Sequence, residues 1–351
     1  MAMTQRTMAA LVAVPLLLGL FAAAGFTPLP YATYSPGPTV DILGQPNGSE
    51  TVQIVGRKTY RDDGQLRMVT VNVSPVGEKL GLLPLLSEWF NRKDAVYPYD
   101  YVHPDDVSAE QDRQEGAVSM VTSQDVAIAD VLRRLDIPVK PAIGVYYVTP
   151  GSPADGKLEP RDIFLKVGGE RITTAEQLVK VVRATPKGDP ISITVQRDGK
   201  VKTLSITPEV EDGVQRVGVQ PGQLFRYPFQ VRVNIDPQIG GPSAGMMFAL
   251  AIYDTLTPGS LTDGKVIAGT GTLDLDGNVG PIGGIQQKIA GAQRDGAQLF
   301  LVPKDNCAEA LGAASPHPEL VRVDTLDTAL DAIEAWTADP SAKLPSCEGA
   351  S

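Results

Sequence analysis

The sequence predicts an α+β fold in two compact units behind a single N-terminal transmembrane helix. Three observations lead there. An uncharged apolar run follows Arg6; a block from Pro138 to Glu209 alternates short β-branched runs with one amphipathic stretch; and the last third sets glycine-rich turns between apolar segments of helical and strand period. At 351 residues the chain is long enough for two domains and a tail, and 42% hydrophobic content supplies a sizeable core.

The N-terminal run reads TMAALVAVPLLLGLFAAAGFTPLPYATYSPGPTV, with no charge between Arg6 and Asp41. Met8 to Phe26 has the length of a membrane span, since about 20 apolar residues at ~1.5 Å each cross the hydrocarbon. The competing reading is a signal peptide cleaved near FAAAG, but the stretch is long for such a segment and favours an uncleaved anchor. Residues 1–28 are then a cytoplasmic stub and transmembrane anchor, single-pass in the cytoplasmic membrane, with Arg6 inside and the body outside. In that compartment Cys307 and Cys347, the two cysteines, can form a disulfide. Two separate buried thiols are the alternative.

Net charge is −10 and no basic run occurs, which argues against nucleic acid, because phosphate contacts need clustered Lys and Arg. No CxxC or Cys/His ligand spacing exists, so neither a structural zinc nor any other metal or cofactor is expected.

Residues 29–48, rich in Pro and Gly, read as a linker. TVQIVGRKTY and GQLRMVTVNV are strand-like and separated by the turn RDDG, while residues 75–116 are irregular and receive no assignment. SQDVAIADVLRRLD has helical spacing over 123–136, with Val126, Ile128, Ala129 and Leu132 apolar and Ser123 as its cap. In the next block IGVYYV is a strand and IFLKVGGERI a strand pair around Gly-Gly. AEQLVKVVRATP is an amphipathic helix, and PISITVQRDGKVKTLSITP a hairpin around Arg197-Asp198-Gly199.

That block, residues 138–210, resembles a PDZ domain of the bacterial type through Ile143-Gly144-Val145, Gly151-Ser152-Pro153-Ala154, Leu158-Glu159-Pro160 and Asp162-Ile163; the family usually has Gly where Arg161 stands. PDZ domains bind an extended peptide as an added strand. The resemblance places that groove between the strand 142–148 and the helix 175–184, with Ile143, Gly144 and Val145 as its peptide-binding residues. A block that merely spaces two others is the bland alternative.

The chemistry points to IGGPSAGMMFALAIYD, residues 239–254. Ser243 is either a helix cap or a nucleophile. Gly241-Pro242-Ser243-Ala244-Gly245 fits G-x-S-x-G, whose esterase-like use needs a downstream histidine. His317, between Pro316 and Pro318, and His103, before Pro104, both read as surface loop residues. Lysine is the remaining base. It must be neutral, and lowering its pKa from ~10.4 to ~7–8 takes about 4 kcal/mol of lost solvation. Ile285, Lys288, Ile289 and Ala292 fall on one helix face, which puts Lys288 in an apolar stripe while Gln286, Gln287 and Arg294 point elsewhere. A lysine snorkelling from the edge of that stripe fits the same pattern. No S-x-x-K arrangement exists, because Met246 stands three residues after Ser243.

GGPSAGMMFALAIYD and VIAGTGTLDLDGNVGPIGGIQQKIAGAQRDGAQLFLVPKDN closely resemble the proteolytic domain of Lon-type peptidases over residues 231–305. The resemblance implies Ser243 as nucleophile, Lys288 as general base and Thr270 as the residue that orients the lysine. Where many members have Asp before GPSAG, this chain has Gly240, and no G-x-x-x-x-G-K-[ST] loop exists to bind ATP. The chain is therefore similar to the membrane-anchored, PDZ-containing, ATP-independent branch. More weakly, the strands at 51–73 and the helix 123–136 resemble the opening of the same domain, with VRVNID as the strand that follows. The expected organisation is a protease domain over 49–137 and 228–340, a PDZ domain inserted at 138–210, and a tail at 341–351. A simple serial order is the alternative. Implied partners are protein or peptide substrates, the membrane, and copies of the chain in a hexameric ring. A catalytically silent scaffold, or an esterase using His317, are the other functional readings.

Overall fold

The computed structural model describes residues 5–61, 63–103, 107–211, 213–313 and 318–348. Helix α1 (Gln5–Phe26) carries Pro15 inside it and exposed apolar side chains such as Leu11, Leu17 and Phe21. Among the described residues no helix is long and apolar enough to cross a membrane. The expected transmembrane helix is thus overturned, and with it the single-pass membrane location.

The supposed linker is mostly strand β1 (Tyr31–Asp41). Proline is tolerated because the pairing with β3 slips between Pro36 and Thr39, and Gly37 lets the backbones close up: a Cβ there would lie 2.8 Å from the Thr70 backbone. After β2 (Val52–Val55) and β3 (Gln65–Val73), the unassigned stretch forms α2 (Leu82–Phe90), β4 (Ala95–Pro98) and α3 (Tyr99–Val102). Helix α4 (Ala109–Arg134) starts 14 residues earlier than Ser123 (123 − 109), with Ser108 in a capping box with Gln111. Ser123 is buried in mid-helix.

A separate sheet follows, built from β5 (Lys140–Val148), β6 (Ile163–Val167), β7 (Glu170–Arg171), β8 (Ile191–Arg197) and β9 (Lys200–Ile206), with α5 (Ala175–Ala184) against it. Asp198 and Gly199, both at positive φ, make the tight turn between β8 and β9. After the small hairpin of β10 (Glu209–Glu211) and β11 (Val214–Arg216), strand β12 (Val219–Arg226) returns to pair with β5, so this sheet runs past residue 210 in the order β12-β5-β6-β8-β9. It encloses its own core, with Val145, Phe164, Leu178 and Ile193 at its centre.

The chain then rejoins the first unit. Strand β13 (Gln230–Val233) pairs with β2, and α6 (Gly245–Leu256), β14 (Val266–Gly269), β15 (Thr272–Leu273) and β16 (Val279–Gly280) follow. Helix α7 (Ile285–Arg294), β17 (Leu299–Pro303), α8 (Cys307–Ala310), β18 (Glu319–Val323) and α9 (Leu326–Ala338) complete it. The main sheet has the order β18-β17-β14-β3-β1-β4, with strands from both sides of the second unit. Successive side chains of a strand point to opposite faces. Accordingly Leu299 and Leu301 join the core under α4, α6 and α9, while Phe300 and Val302 join the one under α7. Cys307 and Cys347 form a disulfide inside that second cluster.

Candidate active site

Ser243 does not cap a helix. Helix α6 begins at Gly245, and its capping position is Ala244, with no side-chain cap. Ser243 lies in the tight turn just before it, partly exposed, with Gly241 at φ 94° setting the bend. The turn is pinned from three directions. Gly241 N–H donates to Gly116 O at 2.9 Å, Ser123 Oγ donates to Pro242 O at 3.1 Å, and Ser243 O accepts from Gly271 N–H at 2.8 Å and Thr270 Oγ at 2.9 Å. Gly240 has a local reason to be glycine: a Cβ there would sit 3.0 Å from the Gly116 Cα of α4.

Lys288 is on α7, on the other side of the main sheet, and 3% exposed. The two faces meet at the end of the parallel pair β3–β14. Thr270 follows directly on β14, and Lys288 Nζ donates to its Oγ at 3.4 Å. The Thr270 hydroxyl therefore gives its proton to Ser243 O and turns a lone pair to the lysine. Ser243 and Lys288 both line one cavity of about 340 Å³, walled by residues 68–72 of β3, Met120 of α4 and residues 238–241. A crevice at the carboxyl ends of parallel strands is where such sheets place sites. Burial lowers the Lys288 pKa from its ordinary value to about 8, and the Glu309 carboxylate opposes that shift. Gly284, at φ 67°, starts α7 close against β3, where a Cβ would be 2.8 Å from Val71.

The histidines play other parts. His103 is buried, not on a surface loop; its Nε2 is 2.7 Å from Ser74 O and its ring packs on Tyr99. His317 lies outside the described residues. Gln287, expected to point away from the apolar stripe, is buried. Sequence reasoning missed the α4 contribution entirely. Its one trace is a glycine, Gly116, in a helix that glycine disfavours.

The expected peptide groove at Ile143-Gly144-Val145 is not open. Strand β5 is covered on one edge by β12 along its whole length and on the other by β6, with Val145 N–H bonded to Asp162 O. The free edge belongs to β12, at the end of its sheet. Beside it a cavity of about 830 Å³ is lined by Val217, Gly218, Val219 and, across from them, Leu178, Val179 and Val182 of α5.

Residues 236–328 match the Lon protease (S16) C-terminal proteolytic domain, and residues 118–207 match a PDZ domain. The Lon protease of Chloroflexus aurantiacus is 24% identical over 302 residues, covering 80% of this chain and 35% of that protein. The Lon protease of Rhizobium meliloti is 39% identical over 149 residues, 42% of this chain and 18% of that protein. The crystal structure of the PDZ domain of the SdrC-like protein from Listeria innocua is 20% identical, covers 23% of this chain and 92% of its own, and has a TM-score of 0.22. The chain thus spans about a third or less of the length of these two curated relatives. It carries a proteolytic domain of the Lon type, that of a serine peptidase.

Proposed function

We propose that the chain is an ATP-independent serine endopeptidase in which Ser243 is the nucleophile, Lys288 the general base and Thr270 the residue that aims the lysine. The observation that supports this reading best is a lysine 3% exposed, sharing a cavity with Ser243 and tethered to the threonine that holds the serine turn. A neutral lysine amine has two protons and one lone pair. With one N–H committed to Thr270 Oγ, its lone pair is free to take the Ser243 proton. Ser243 Oγ then attacks the scissile carbonyl carbon, and the positive end of the α6 dipole favours the oxyanion that forms. Lys288 returns the proton to the amine as the C–N bond breaks, and water hydrolyses the acyl-enzyme.

Substrates in this reading are proteins or peptides. The groove between β12 and α5 recruits or gates them by adding an extended segment to the free strand edge. Assembly into a ring of six is part of the same proposal and rests on likeness alone. The test is hydrolysis of an unfolded, fluorescently labelled protein by the purified chain. Ser243→Ala and Lys288→Met should each abolish turnover with the fold intact by circular dichroism, and adding ATP should change nothing. Lys288→Arg should also fail, since guanidinium stays protonated. Full activity in either the serine or the lysine variant would reject the dyad.

A further inference from the structure

The PDZ-like unit grips the same helix that holds the serine turn. Helix α4 touches that unit at its first turns, where Gln114 Nε2 donates to Gln220 of β12 at 2.9 Å and Tyr147 of β5 donates to Glu110 at 3.1 Å. Further along the same helix Gly116 and Ser123 make their bonds to residues 241 and 242, with Met120 between them in the cavity wall. Two residues after Ser123 stands Asp125, 3% exposed. Its Oδ1 receives the Tyr227 hydroxyl and, at 3.4 Å, Arg161 Nη2 of the PDZ-like unit. Asp125 Oδ2 and Arg161 Nη1 are buried without a partner, so the pair is held by its surroundings in imperfect geometry. Arg161 stands at φ 73°, a left-handed conformation that a bulky side chain adopts only when the rest of the structure holds it there. Its own N–H is anchored to Val145 O at 2.7 Å.

We infer that Arg161 is a positioning residue for the peptidase site: through Asp125 it fixes α4, and through Gly116 and Ser123 it fixes the turn that presents Ser243. This rests on the reading of Ser243 as nucleophile. An arginine is required for reach and charge, while the backbone alone would accept glycine more readily. Arg161→Gly therefore relieves the local conformation of its own unit while it releases α4.

The experiment compares the wild-type chain with Arg161→Gly and Asp125→Asn. The first readout is hydrogen exchange by mass spectrometry, which needs no turnover. Segments covering residues 239–246 should exchange at least fivefold faster in both variants, while those covering 191–206, in the PDZ-like core, stay unchanged. Unchanged exchange at 239–246 in both variants overturns the inference whether or not the chain is a peptidase. The second readout is hydrolysis of a short peptide, where kcat should fall at least threefold with KM within twofold. A loss in KM alone also overturns it. The double variant should be no slower than the worse single one, because both cut the same link; an additive loss means that the two residues act separately. If Arg161→Gly also loosens residues 191–206, Asp125→Asn decides, since it breaks the pair from the α4 side. Loss of all activity on Ser243→Ala with the exchange result intact keeps both readings; full activity there removes the nucleophile and leaves the mechanical link standing.

Discussion

Two pressures act on Lys288. Burial disfavours its ammonium and brings the pKa from 10.5 to about 8, and the Glu309 carboxylate pulls in the other direction. A base must be neutral to work, so the rate should rise with pH and level off above about 8. At pH 7 about a tenth of the lysine is then ready to accept a proton. Glu309→Gln removes the charge that favours the ammonium, so the midpoint should move to lower pH and kcat/KM at pH 7 should rise severalfold. The check is a pH profile of kcat/KM for both proteins; a midpoint that stays put or moves up would show that Glu309 does not act on this lysine. The spacing of Lys288 with Ile285, Ile289 and Ala292 marked one helix face, but a lysine snorkelling from its edge fitted that spacing equally, and only the resemblance to Lon-type domains singled Lys288 out. Gln287 was misread because α7 packs on β1 and β3 and also against α8, so more than one face is covered. His103 was misread because nothing in Val-His-Pro announces the carbonyl of Ser74, 29 residues away, that holds its ring.

Elements were legible where burial is one-sided and apolar. The second half of α4, which packs on α6, showed its period; the first half meets its neighbours through Glu110 and Gln114, and polar contacts leave no hydrophobic stripe to read. Strand β1 was hidden by its own Pro36-Gly37-Pro38, a linker signature that here makes a bulge in a paired strand. The disulfide ties the last described turn of the chain to the cluster under α7, where Ile285 and Ile289 flank Lys288. Closing a loop with a sequence separation of 40 restricts the unfolded chain by about 4 kcal/mol in the loop-entropy account. Cys347→Ser should therefore lower the unfolding free energy from urea titration by an amount approaching that figure, with a lower midpoint, and reductant should bring the wild type to the same midpoint. Equal midpoints for oxidised wild type and variant would mean that the bridge adds no net stability.

At the scale of the whole molecule, the periodicities gave two units, but the edge a peptide uses depends on which strand ends a sheet, and that is a long-range fact. Strand β12 is read as the border of its unit only once its pairing with β5 is known. The same applies to the main sheet, in which β3 lies between β1 and β14 although about two hundred residues separate it from β14. This topology makes the two units unequal in independence. The one spanning β5 to β12 has a contiguous sequence and a closed core from Val145 to Val217. The other draws its core from both ends: Leu66, Met68, Ile128 and Leu132 pack with Met246, Phe248, Leu301 and Ile333. A fragment of residues 138–228 should fold alone, with a single cooperative urea transition and well-dispersed amide resonances. A fragment of residues 229–351 keeps Ser243, Thr270 and Lys288 but exposes the edge of β14 and the apolar face of α6, losing β3 and α4 at once. It should aggregate or remain without a cooperative transition, and co-expression with residues 1–137 is the one arrangement expected to restore it. A folded and proteolytically active 229–351 fragment would show that the strands before the PDZ-like unit are dispensable, and would refute the split architecture argued from the sheet order.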